Sequence, residues 1–156
     1  MRGVIGGAGA KSGVIGRTEL DYETGDFTPV YSDAQSGGNT QSGVNWGFAK
    51  YTKIGRLVKV QVDIPGISTS GMTGGNVFHV QSLPFVAGST NYGTMQSYRI
   101  SRDSNALDTA CIIINATNVV KFPWFDDDSS TTGRHMLVSQ IISTTSTLSF
   151  EITYTV

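Results

Sequence analysis

Residues 56–64 read Arg56-Leu57-Val58-Lys59-Val60-Gln61-Val62-Asp63-Ile64, and this stretch decides the fold. Val58, Val60, Val62 and Ile64 point one way, while Lys59, Gln61 and Asp63 point the other. A period of two belongs to a strand with one buried face, because successive side chains alternate across a pleated backbone. A helix would scatter the same residues around its circumference. The C-terminus repeats the pattern: Leu148, Phe150, Ile152, Tyr154 and Val156 alternate with Thr147, Ser149, Glu151, Thr153 and Thr155. Weaker strands are expected over 27–31, 46–53, 76–83, 93–101, 109–116, 119–122 and 135–142. Turn-forming clusters separate them, among them Ser36-Gly37-Gly38-Asn39, Lys53-Ile54-Gly55-Arg56 and Thr73-Gly74-Gly75-Asn76. No window carries a helical period. The expected fold is all-β, an antiparallel β-sandwich or jelly roll.

Composition agrees with many turns and few charges. The chain has 156 residues, enough for one domain. Charged residues make up 15% of it, against about 25% in ordinary soluble domains, and Ser, Thr, Gly and Asn take their place. The net charge is −1, so the strongly basic footprint of a nucleic-acid binder is missing and no nucleic-acid partner is expected. No run of apolar residues reaches the ~18 of a membrane span, and no signal-peptide pattern opens the chain, so no membrane association is expected.

The first residues differ from the rest. Residues 1–17 hold two copies of Gly-Val-Ile-Gly, at 3–6 and 13–16, in a glycine-dense context unsuited to a helix or a core strand. Arg2, Lys11 and Arg17 give this segment +3 with no acid, leaving −4 on the remainder to reach the total of −1. Residues 1–24 are therefore read as an extended docking arm and 25–156 as the β-domain. Val4, Ile5, Val14 and Ile15 act as apolar plugs, with Lys11 and Arg17 as the charged contacts.

Tests for chemistry fail at named residues. His79 and His135 fall in different strands, His79 on the polar face of its own, and no catalytic or zinc spacing accompanies them. A phosphate loop ending at Lys11-Ser12 needs glycines where Ala10 and Ile5 stand. Asp126-Asp127-Asp128 lacks EF-hand spacing and reads as a solvated loop tip. Nothing pairs Asp63, Asp103, Asp108 or Glu151 into a hydrolytic couple. Cys111 lies in the run Ala110-Cys111-Ile112-Ile113-Ile114 and is expected to be a buried inert thiol. Asn115-Ala116-Thr117 is a bare glycosylation sequon. Trp46, Trp124, Tyr92 and Tyr98 are candidates for a sugar-binding platform, although aromatics in β-proteins more often fill cores. No enzyme, cofactor or metal is expected. The Ala110–Ile114 run is apolar on both faces, which suits a central strand or a strand whose second face meets another subunit.

Several segments together resemble a known family. Gly25-Asp26-Phe27-Thr28-Pro29-Val30-Tyr31 resembles the G-T-[WF]-T-P opening of small β-domains in bacteriophage tail fibres, head fibres and capsid decoration proteins. Tyr51-Thr52-Lys53-Ile54-Gly55-Arg56-Leu57-Val58 is similar to their Y-x-K-I-G-x-x-V hairpin. Gln81-Ser82-Leu83-Pro84-Phe85 resembles their G-L-P-F segment, with Ser82 where glycine is usual. The ending from Leu148 to Tyr154 is similar to their closing strand.

The resemblance implies a virion structural protein with no shared catalytic residues, assembled as a homotrimer. Arm plus domain without a shaft leads to the expectation of a capsid decoration (cement) protein on the capsid surface. Its arm would grip the major capsid protein or another virion protein, and its body would brace the shell as a trimer. The alternative expectation is a short tail or head fibre or knob domain binding a host surface glycan or receptor. Ala110, Ile112 and Ile114 are the candidate subunit interface.

Overall fold

The computed structural model describes residues 21–42, 47–101, 106–107, 110–126 and 134–156. Thirteen strands follow in order: β1 (Tyr22–Asp26), β2 (Val30–Ser32), β3 (Thr40–Ser42), β4 (Phe48–Ile54), β5 (Leu57–Ile64), β6 (His79–Gln81), β7 (Asn91–Tyr98), β8 (Ala106–Leu107), β9 (Ala110–Ile113), β10 (Val120–Lys121), β11 (Pro123–Asp126), β12 (Arg134–His135) and β13 (Thr147–Thr155). Ten form one sheet in the order β1-β4-β5-β13-β7-β9-β10-β6-β2-β3; β12, β11 and β8 form a small second sheet. Every ladder is antiparallel. The expected all-β antiparallel class is what the chain adopts, with its main strands joined in one continuous sheet.

The alternation in the sequence becomes the register of the core. Val58, Val60, Val62 and Ile64 of β5 are buried, as are Leu148, Phe150, Ile152 and Tyr154 of β13. The two strands pair Val62 with Phe150 and Val60 with Ile152, so the apolar rows coincide. The sheet then curls over this face. Phe150 lies on β13 and Phe122 directly after β10, three places away in the sheet and roughly 14 Å along a flat one. Their ring centroids are nevertheless 5.5 Å apart, and Phe78 and Tyr31 extend the aromatic line at 6.1 and 5.9 Å. Contact at that range requires the inner face to close on itself.

Three expectations need correcting. The strand expected over 135–142 shrinks to β12; a 3-10 turn follows over Val138–Gln140, where the Leu137 N–H donates to the Gln140 side chain at 2.7 Å. Met136, Val138 and Ile141 are buried from this turn, so apolar spacing there reflects a bent segment. The strand expected over 27–31 starts only at Val30, because buried Pro29 has no N–H for a ladder. The boundary placed after residue 24 falls inside β1, whose register with β4 runs from Tyr22↔Ile54 to Asp26↔Lys50. Residues 22–24 therefore belong to the sheet.

Candidate functional site

The root of the N-terminal segment is anchored on the β4–β5 hairpin. Lys53 Nζ meets the Asp21 carboxylate at 2.6 Å, and the Gly55 N–H donates to the Asp21 carbonyl at 2.6 Å. Gly55 takes φ +57°, a left-handed conformation that a two-residue hairpin loop demands and glycine supplies without strain. Beside this anchor, Tyr22, Ile54 and Leu57 stand in one cross-strand row. They are 61%, 43% and 49% exposed. Leu57 faces outward because Val58 faces the core, and the same parity puts Ile54 and Tyr22 beside it.

A second feature lies on the outer face of the main sheet. Phe48 on β4, Gln61 on β5, Ser149 and Glu151 on β13, and Thr94 and Gln96 on β7 surround a groove of about 280 Å³. Ser149 and Thr94 are short, while Phe48, Gln61, Gln96 and Glu151 are long, so the sheet face has a floor and a rim. Gln61 Nε2 donates to Glu151 Oε2 at 2.7 Å, and Lys59 Nζ meets Glu151 Oε1 at 3.0 Å. The Lys59 and Gln61 contacts hold the Glu151 carboxyl below its ordinary range, against the opposing pull of partial burial. Ser149 Oγ donates to Asp63.

A third cluster joins both histidines. His79, expected on a polar face, is buried, with Nδ1 2.9 Å from the Val77 carbonyl. It pairs across the ladder with Lys121, and His135 pairs with Pro123 on β11. Burial lowers the pKa of both rings, and Lys121 lowers both further. Each ring is thus biased toward its neutral form. His135 Nδ1 is buried without a hydrogen-bond partner among the described residues. Nearby, Ser32 Oγ donates to the Gly37 carbonyl at 2.9 Å. The buried Asp33 carboxylate accepts the Thr73 N–H at 2.8 Å and two Asn39 donors at 2.7 and 3.0 Å. These polar groups hold turns in place.

The remaining sequence candidates divide clearly. Val4, Ile5, Lys11, Val14, Ile15 and Arg17 lie outside the described residues, as do Trp46, Asp103, Asp108, Asp127 and Asp128. Ala110, Ile112 and Ile114 are half-buried on the side of the β9 segment opposite buried Cys111 and Ile113. Burial pushes the Cys111 thiol up to about 12, so it is an inert core group. Tyr92 and Tyr98 are exposed, Tyr98 with the Arg99 guanidinium 5.3 Å from its ring. Glu151 faces outward as expected. Sequence reasoning missed the Tyr22–Ile54–Leu57 row, although outward Leu57 in an alternating strand was a visible signal. It also missed the groove, whose walls come from strands far apart in sequence.

Among the described residues no group of three or more His, Cys, Asp or Glu side chains could hold a metal ion. Among them, too, no helix is long and apolar enough to cross a membrane. No protein-family model matches the chain, and no curated protein matches it in sequence.

Proposed function

We propose that the protein is a non-catalytic virion module, a capsid decoration protein that docks through its N-terminal side and braces the shell as a trimer. The observation that carries this reading is the exposed Tyr22–Ile54–Leu57 row at the root of the arm. Three in-register apolar side chains on a surface otherwise rich in hydroxyls and amides offer an apolar contact where the N-terminal segment joins the sheet. The arm's +3 charge adds attraction to an acidic shell surface at short range. Trimer contacts are assigned to the half-buried Ala110, Ile112 and Ile114, beside exposed Tyr92. The phage resemblance supports the same reading through the Lys53-Ile54-Gly55 turn, the element on which the arm root is pinned.

The test is capsid binding by the full chain, a 1–17 deletion, and a Tyr22→Ser, Ile54→Thr, Leu57→Thr variant. Both altered proteins should stay folded and lose binding. Undiminished binding by both would refute the docking assignment. A second reading, a short fibre or knob domain, keeps the arm as the attachment and is favoured by the groove on the outer sheet face. Specific adsorption of the protein to host cells would select it.

A further inference from the structure

We infer that the groove bounded by Phe48, Gln61, Gln96 and Glu151, with Ser149 and Thr94 as its floor, is a binding site for a neutral saccharide. Its volume of about 280 Å³ lies just under the usual range for small-ligand sites, room for about one pyranose ring with its neighbours running out along the sheet. This goes beyond the docking role and holds for either location on the particle, because the groove is built wholly from the body.

Three observations lead there. Phe48 is 45% exposed on a face whose other groove-lining side chains are polar, so its ring offers an apolar platform at one wall. A pyranose ring has an apolar C–H face that stacks on such a platform and a rim of hydroxyls that both donate and accept. The remaining wall and floor groups match that rim: two amides, two hydroxyls and a carboxylate supply donors and acceptors on one surface. Glu151 is held by Lys59 and Gln61, so its oxygens are fixed before a ligand arrives, which reduces the ordering cost of binding.

Charge settles the class of sugar. The ionic groups of this face around the groove are Lys50 and Lys59 against Asp26, Asp63 and Glu151, in the registers Asp26↔Lys50↔Gln61↔Glu151 and Lys59↔Thr153, with Asp63↔Ser149. Two positive and three negative groups leave no positive local field to draw a uronate, a sialoside or a phosphate. A neutral hexose or N-acetylhexosamine oligomer meets no such mismatch.

The test is a titration of the 15N-labelled full chain with neutral probes (maltotriose, cellotriose, mannotriose, N,N′,N″-triacetylchitotriose and lactose) and with sialyllactose and trigalacturonate as acidic controls. At least one neutral probe should give saturable shifts centred on the amides of Gln61, Thr94, Gln96 and Ser149. Phe48→Ala should weaken that binding about tenfold, the loss of one stacked aromatic contact. Thr94→Trp, which fills the floor from an exposed position, should abolish it with melting temperature unchanged, and this covers the case in which Phe48→Ala fails to fold. Capsid docking by Thr94→Trp should be unaffected, which separates failure of the groove from failure of the arm. Absence of saturable shifts with every neutral probe, shifts centred elsewhere, or equal binding of the acidic controls would overturn the inference.

Discussion

Ser82 shows how a single backbone angle explains a sequence preference. It sits at φ +65°, in the left-handed region, where an L-residue with a Cβ carries a cost of about 1–2 kcal/mol. The glycine usual at this place in the resembling segment has no such penalty, though it loses more entropy on folding. Ser82→Gly is therefore expected to stabilise the protein by about 0.5 kcal/mol net, a rise of roughly 1–2 °C in melting temperature; calorimetry decides it. Asp33 makes a second residue-scale prediction. The Thr73 N–H and the Asn39 side chain hold its carboxyl down to about 2, below its ordinary 3.8. A folded-state value below the unfolded one means that the contribution is complete above about pH 4 and lost as pH falls toward 2. Urea melts across that window should show the loss, and Asp33→Asn should be less stable at neutral pH and flatter below pH 4.

At the scale of the elements, two glycines separate backbone geometry from packing. Gly55 has open space where a Cβ would stand, so Gly55→Ala meets only the strain of φ +57° and should cost about 1 kcal/mol. Gly93 lies mid-strand in β7, where an added Cβ would collide with the Glu151 carbonyl oxygen and press on Cys111 Sγ and the Ile152 Cβ. The first obstacle is backbone of the neighbouring strand, which cannot turn aside. Gly93→Ala should cost about 3 kcal/mol or more and broaden the amide spectrum of β7 and β13. Equal costs for the two substitutions would contradict this account. The hairpin around Gly55 was legible in the sequence because its turn chemistry is local. Gly93 was not, because its constraint comes from residues 111, 151 and 152.

At the scale of the whole molecule, the curl of the sheet rests on aromatic contacts between its distant parts. Phe122 is the link, with Phe78 on one side and Phe150 on the other. Phe122→Ala should cost about 3–5 kcal/mol, a large part of the 5–15 kcal/mol that holds an ordinary domain together. Leu57→Thr, on the exposed row, should change stability by no more than about 0.5 kcal/mol while affecting docking. Urea unfolding of the two variants separates the residues that close the fold from those that face outward.

By itself the sequence determined the all-β class, the inward rows of β5 and β13, the buried Cys111 and the hairpin at Ile54-Gly55. Each depends on the period of two or on turn chemistry, properties of residues within a few positions of one another. It also mispositioned the strands near Pro29 and after His135, where a missing donor and a 3-10 turn interrupt an apolar pattern that reads as continuous. Only the tertiary structure decided that β13 lies between β5 and β7, and with that choice the groove on the outer face follows. Placing β13 there sets Glu151 beside Gln61 and Thr94 and opens the groove over Ser149, while the pairing of β1 with the β4–β5 hairpin leaves Tyr22, Ile54 and Leu57 in one uncovered row. The physical reason is that strand order is set by which long-range pairings bury the most apolar surface together, and no local pattern carries that sum.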